Sequence, residues 1–123
     1  MNMIRPDIAT YCVGMAASFA TVILCSGTKG KRFALPNATV MMHQVMGGAQ
    51  GQASDLEIHA KEALRLQATI RDILVDKTGQ TSEKISQDTD RDYFITAQEA
   101  KEYGLIDDVL TGRDNDEEEA AAD

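Results

Sequence analysis

Basic side chains are scarce in this sequence of 123 residues, which has 12 lysines and arginines against 20 aspartates and glutamates and a net charge of −8. Binding to a nucleic-acid backbone needs clustered basic side chains that displace counterions, so the composition argues against a nucleic-acid partner. The acidity is concentrated at the C-terminus, where residues 114–123 (DNDEEEAAAD) hold six acids and no base. Residues 113–123 are therefore predicted to form a disordered acidic tail.

Metal-binding and disulfide-forming residues are also few. The two cysteines, Cys12 and Cys25, lack CxxC spacing and sit in an apolar stretch, so we expect reduced core residues and a reducing compartment. The two histidines, His43 and His59, are sixteen residues apart and no dense acidic loop is present, so no metal is expected. The glycine-rich segment 47–52 lacks the GK[ST] ending of a phosphate loop, and no nucleotide or other cofactor is expected.

One long run lacks charge, from Ile8 to Thr28, and superficially resembles a signal peptide or a membrane span. Glycines and hydroxyl side chains dilute its hydrophobicity, lysines and an arginine follow at once, and no A-x-A cleavage pattern closes it. We therefore interpret it as a buried strand followed by a buried helix, and expect a soluble, cytoplasmic chain, with a plastid or mitochondrial location as the alternative.

What is present is typical of a single globular domain, with 43% hydrophobic and 26% charged residues. The pattern predicts a strand over 8–14 that ends at Gly14, a helix over 15–27, and strands over 32–35 and 38–45. Parallel strands joined by a helical crossover, an α/β fold, are implied.

The second half is predicted to be mainly helical. Ser54 and Glu57 match a capping box at the start of a long helix that runs to residue 78. The remaining elements are a short helix from Ser82, a charged loop over 88–94, a helix over 97–104 capped by Thr96, and a short strand within 105–110.

Ser18 is the first candidate for chemistry. It ends the segment GMAAS (14–18) at the predicted turn from strand to helix, with only small residues before it. Small neighbours let a substrate approach a nucleophile, and helix N-terminal amides can stabilise an oxyanion. The G-x-x-x-S spacing differs from the hydrolase G-x-S-x-G, so the motif alone does not distinguish a nucleophile from a tightly packed serine.

His43 is the second candidate, because it ends a predicted strand and functional groups collect at the carboxyl ends of parallel strands. A general base of this kind needs an acid that orients it. Asp88, Asp90 and Asp92 all lie in the predicted charged loop, and physical reasoning alone does not choose among them.

Four segments together resemble a known family: GMAAS (14–18), GKRFALPN (30–37), MMHQVMGGAQGQASD (41–55) and DTDRDYFITAQEAKEYGLIDDVL (88–110). They are similar, in this order, to the proteolytic subunits of the Clp protease, the ClpP family, and the resemblance covers residues 3–110. It implies a crotonase-like α/β fold over residues 1–112, and a serine endopeptidase built as two stacked heptameric rings, with paralogous subunits in some assemblies. It also implies an AAA+ unfoldase partner that delivers unfolded protein substrates, and no cofactor.

The resemblance assigns roles to individual residues. The family's nucleophile falls on Ser18, its base on His43 and its orienting acid on Asp92, in the order of a permuted Ser, His, Asp triad. Further assignments are the backbone amide of Phe19 in the oxyanion hole, Gly47, Gly48 and Gly51 in a substrate-binding and handle strand, and Arg91 at an inter-ring contact.

The sequence departs from the family pattern in two ways. It begins within a family helix, so the N-terminal portion that supplies the axial loops and a second oxyanion amide is expected to be missing, and activity of the chain alone is expected to be low. Ala20 stands where many members have glycine. Two alternatives stay open, a catalytically silent assembly subunit or inactive fragment, and an acyl-CoA enzyme on the related crotonase fold.

Overall fold

A computed structural model describes residues 1–43 and 53–111 of the chain. In this part the first half is mainly strands and the second half mainly helices. The elements are β1 (Thr10–Cys12), β2 (Met15–Ala17), α1 (Phe19–Cys25), β3 (Arg32–Ala34), β4 (Thr39–Met42), α2 (Ala53–Thr78), α3 (Ser82–Thr89), β5 (Tyr93–Thr96), α4 (Ala97–Tyr103) and β6 (Asp108–Val109). The predicted glycine strand with Gly47, Gly48 and Gly51, and the predicted tail 113–123, lie outside the described residues.

The strands form two small sheets. One has the order β1-β3-β6 and is parallel throughout. The other has the order β2-β4-β5, in which β2 and β4 are parallel and β5 is antiparallel to β4. The predicted α/β fold with parallel strands is confirmed, and the antiparallel β5 is an addition to it.

The predicted helix over 15–27 is wrong at both ends. Met15–Ala17 forms β2, whose residues pair with Thr39–Met41 of β4, because tertiary pairing overrides the helix preference of the alanines. The helix ends at Cys25, and Gly27 is not a left-handed cap. A Cβ at Gly27 would lie 2.6 Å from the Thr10 hydroxyl oxygen, so glycine is needed there for the close approach to β1.

The predicted charged loop over 88–94 is also partly wrong. Its first two residues complete α3, and Tyr93 and Phe94 begin β5. The strand has a single buried residue, Ile95, so its apolar pattern is too weak to stand out beside the surrounding charges.

The helices of the second half are confirmed. α2 begins at Ala53, one residue before the predicted start, which places Ser54 in its first turn. Thr96 caps α4, with its hydroxyl oxygen accepting a hydrogen bond from the Glu99 amide at 3.2 Å. Gly104 ends α4 with φ of 98°, a left-handed conformation that favours glycine.

The core lies where the two sheets meet the four helices. Its most deeply buried large side chains include Val40, Met42, Ile85, Leu105 and Ile106. Cys12 and Cys25 are buried free thiols, as predicted, and burial raises the pKa of both.

The uncharged run from Ile8 to Thr28 is divided among β1, β2 and the seven-residue α1. Within residues 1–43 and 53–111, no helix has the length and apolar character needed to cross a membrane.

Candidate active site

Ser18 occupies the turn between β2 and α1. Its backbone has φ of 58° and ψ of −121°, and within the described part of the chain it is the only residue other than glycine with a positive φ. A residue other than glycine is strained in this backbone conformation. Such strain is concentrated at functional turns, and the strand-to-helix turn that presents a nucleophilic serine is one of them. The Ser18 hydroxyl makes no capping hydrogen bond to α1.

The Ser18 hydroxyl instead contacts Nε2 of His43. The two residues are 25 positions apart in the chain, but β2 and β4 are adjacent and parallel, with Ala17 paired to Met41. The carboxyl ends of these strands therefore meet at one edge of the sheet. With the imidazole proton on Nδ1, the hydroxyl donates to Nε2, which is the arrangement needed for proton transfer from the serine.

The pairing of β4 with β5 separates the three candidate acids. Met42 is opposite Tyr93 in the last pair of this antiparallel ladder. His43 and Asp92 are the next residue on each side, and they would be directly opposed if the register continued by one residue. Directly opposed residues in such a pair have Cβ atoms about 4.5–5.5 Å apart.

Asp88 and Asp90 belong to α3 and its C-terminal cap, and neither takes part in the β4–β5 pairing. Asp88 accepts a hydrogen bond from the Tyr103 hydroxyl at 2.8 Å and pairs with Lys84 at 3.2 Å. Asp90 is the C-terminal cap of α3. Of the three acids that the sequence left open, the strand register favours Asp92.

Phe19 is the first residue of α1, directly after Ser18. The first amides of a helix have no carbonyl partner within the helix, so the Phe19 N–H is placed beside the serine as a hydrogen-bond donor. The Phe19 side chain is exposed, and Arg91 is an exposed residue between α3 and β5.

Thr21 helps to position the site, and the sequence analysis did not identify it. Its side chain is buried, and its hydroxyl lies 2.6 Å from the carbonyl oxygen of Met41 and 3.1 Å from that of Ala16. The Met41 carbonyl is two residues before His43, and the Ala16 carbonyl is two residues before Ser18. The signal in the sequence that could have identified Thr21 is a hydroxyl residue within the apolar face of a short helix.

The comparisons with known proteins identify the family. A family model described as Clp protease matches residues 1–113. Two curated relatives, from Dehalococcoides mccartyi strains BAV1 and CBDB1, are 64% identical over 115 residues and carry the name ATP-dependent Clp protease proteolytic subunit. A relative of the same name from strain 195 is 63% identical.

Each of these alignments covers 94% of this chain and 58% of the relative. The chain thus spans less than two thirds of the length of the curated relatives that it matches.

Proposed function

The chain belongs to the Clp protease family, and from this membership and the Ser18–His43 contact we propose that it is a serine endopeptidase. It acts as the proteolytic subunit of an ATP-dependent Clp protease. Its substrates are unfolded polypeptides delivered by an AAA+ unfoldase, and ATP is used by that partner, so that the subunit itself needs no cofactor.

In the proposed mechanism, Ser18 Oγ attacks the carbonyl carbon of the scissile peptide bond and its proton passes to His43 Nε2. The carbonyl oxygen becomes an oxyanion, to which the Phe19 amide donates a hydrogen bond. The tetrahedral intermediate then expels the amine, which takes the proton from Nε2 and leaves an acyl group on Ser18. Water then attacks the acyl group in the same way, with His43 as the base, and releases the carboxylate product and free Ser18. Throughout, Asp92 holds the imidazole and stabilises its charged form.

The observation that carries the proposal is the Ser18–His43 contact at a strained turn. A serine with positive φ costs folding free energy of about 1–3 kcal/mol unless the surrounding structure compensates for it. Tight packing of a serine does not explain this conformation. A strained strand-to-helix turn that holds the hydroxyl clear of the helix and against the base does explain it, as in the nucleophile elbow of hydrolases.

The test is labelling of the chain with a fluorophosphonate. Ser18 Oγ attacks phosphorus, fluoride leaves and His43 takes the proton, so one adduct per chain is expected at Ser18. Ser18→Ala should abolish labelling and His43→Ala should slow it by about 10³-fold or more. Ser82→Ala, which changes an exposed serine at the start of α3, is the matched control.

Absence of an adduct on Ser18 in the folded chain would contradict the proposal and favour the silent assembly subunit. Labelling of Ser18 that persists in His43→Ala at the original rate would also contradict it, since the contact would then have no catalytic role.

The proposal includes self-assembly into stacked heptameric rings, with paralogous subunits as an alternative composition. The support from this chain is apolar surface. On α2 the exposed apolar side chains include Leu56, Ile58, Leu64 and Leu66. In the proposed assembly, α2, the segment with Gly47, Gly48 and Gly51, and Arg91 contribute to contacts between rings. A cytoplasmic location is proposed because both cysteines are free thiols.

A further inference from the structure

A small cavity lies between α2, α3 and the end of β4. It has a volume of about 20 Å³. Its apolar lining comes from Ile70, Leu74 and Ile85, and its polar lining comes from His43, Gln67, Arg71, Ser86 and Thr89. The cavity therefore connects the candidate general base to side chains of two helices that have no other part in the site.

Arg71 has an unsatisfied donor at this position. Its Nε is buried and makes no hydrogen bond to any described residue. Its Nη1 donates to the Ser86 hydroxyl at 3.5 Å, the outer limit for a hydrogen bond. A buried N–H of a charged group without a partner costs more than about 1–3 kcal/mol, so a native structure rarely leaves one unpaired.

Two of the lining hydroxyls have free acceptor capacity. Thr89 donates its own proton to the Ile85 carbonyl at 2.7 Å, which leaves the lone pairs of its oxygen available. The Ser86 oxygen has one long contact to Arg71. The Arg71 donor and these two acceptors are thus available at the cavity, and a single water needs two to four such partners.

The volume agrees with the same occupant. A cavity of about 10–15 Å³ or more holds one water if two to four polar groups face it, whereas empty cavities are apolar. At about 20 Å³ this cavity is large enough for one water.

We propose that this cavity holds one ordered water, to which Arg71 Nε donates, and that Arg71 acts through this water as a positioning residue for His43. The water donates to the oxygens of Ser86 and Thr89. It also occupies the space beside His43, which lines the same cavity, and so restricts the imidazole by packing and not by a hydrogen bond. The positioning role rests on the proposed function, whereas the water site does not.

Crystals of the chain test the water site directly. Electron density for one water is expected about 2.7–3.2 Å from Arg71 Nε. Arg71→Met keeps the length of the side chain but removes the donor, and should lose this density. An empty cavity in the unmodified chain, or a protein group hydrogen-bonded to Nε, would overturn the proposal.

Fluorophosphonate labelling tests the positioning role. In Arg71→Met the maximal labelling rate should fall about tenfold, the effect of one lost hydrogen bond, while the probe concentration at half-maximal rate stays unchanged. Ser86→Ala should also slow labelling, and the double variant should be no slower than Arg71→Met, because both act on the same water. Additive losses would show separate structural effects.

Arg65→Met is the matched control, since Arg65 lies on the same helix and is exposed and paired with Glu62. Its labelling rate should not change. If Arg71→Met labels at the original rate, the positioning role is wrong even where the water is present. If the unmodified chain fails to label, the proposed function and the positioning role both fail, and the density alone decides the water site.

Discussion

Arg32 and Asp107, which are 75 residues apart in the chain, are joined by two parallel hydrogen bonds. Nε donates to one carboxylate oxygen at 2.9 Å and Nη2 donates to the other at 2.8 Å. The Arg32 side chain is only 3% exposed, and its Nη1 also donates to the carbonyls of Cys25 and Lys77. One guanidinium therefore connects β3 with the ends of α1 and α2 and with the residue before β6.

This pairing predicts a pH dependence of stability. The hydrogen bonds from Arg32 lower the pKa of Asp107 from 3.8 to about 2. The stabilisation is present above the unfolded pKa and is lost as the pH falls through the folded value. The shift corresponds to about 2 kcal/mol of unfolding free energy, lost between about pH 5 and pH 2.

Urea unfolding at several pH values measures this effect. Asp107→Asn should be less stable by about 2 kcal/mol at pH 7 and should lack this part of the acid dependence. Asp7→Asn is the control, because Asp7 and its partner Lys31 are both exposed, and its effect should stay within about 0.5 kcal/mol. Equal losses for both variants would contradict the prediction.

Asp92→Asn should lower peptide hydrolysis by about 10³–10⁴-fold, because an amide at this position favours the wrong imidazole tautomer. Asp90→Asn is the matched variant and should leave hydrolysis within a few-fold of the unmodified value. Steady-state assays of the assembled protein make the comparison. A larger loss for Asp90→Asn would move the acid to that residue and show that the strand register does not continue past β4.

Gly104→Ala should destabilise the chain more than Gly79→Ala. Both glycines end a helix with positive φ, 98° and 75°, so both alanine variants carry a left-handed strain of about 1–2 kcal/mol. A Cβ at Gly104 would also overlap the carbonyl oxygen of Thr78, whereas a Cβ at Gly79 has open space around it. Thermal or urea unfolding should show a difference of about 1–3 kcal/mol between the two variants.

Ser18→Gly should be more stable than Ser18→Ala. Both variants lose the hydroxyl that contacts His43, so the difference between them reports the strain at φ of 58°. Glycine adopts this conformation freely, and we expect a difference of about 1 kcal/mol in unfolding free energy. Equal stabilities would show that the strain at this turn is no larger than the extra conformational entropy of glycine in the unfolded chain, about 0.5–1 kcal/mol.

The exposed apolar surface of α2 predicts self-association. Ile58 and Leu64 are each 65% exposed, and patches of this kind mark contact surfaces. Light scattering at micromolar concentration should show oligomers, and Ile58→Lys with Leu64→Lys should shift the distribution toward smaller species. A stable monomer of the unmodified chain would falsify this prediction.

The sequence predicted those parts of the fold that are set by local signals. Periodicity and capping act within a few residues. The sequence was therefore sufficient to predict the long helix over 54–78, the Thr96 cap and the glycine at 104. It did not predict β2 or β5, since each forms through pairing with β4, which is remote in the chain.

For the candidate site, too, the sequence predicted the residues that have local signals but not the contacts that depend on strand pairing. Ser18 and His43 were identified from small neighbours and a strand end, but their contact depends on β2 and β4 being adjacent. The residues alone left Asp88, Asp90 and Asp92 open, and only the family resemblance selected Asp92. The antiparallel register of β4 and β5 is consistent with that selection. No sequence motif marks Arg71, because an Nε without a hydrogen-bond partner can be recognised only from the packed structure.

The Thr21 hydroxyl, between the carbonyls of Met41 and Ala16, links the two strands that end at His43 and Ser18. Under the proposed function, the entropy of bringing these residues together is therefore lost once, when the chain folds, and not at each encounter with a substrate. The arrangement makes the Ser18–His43 pair a rigid template.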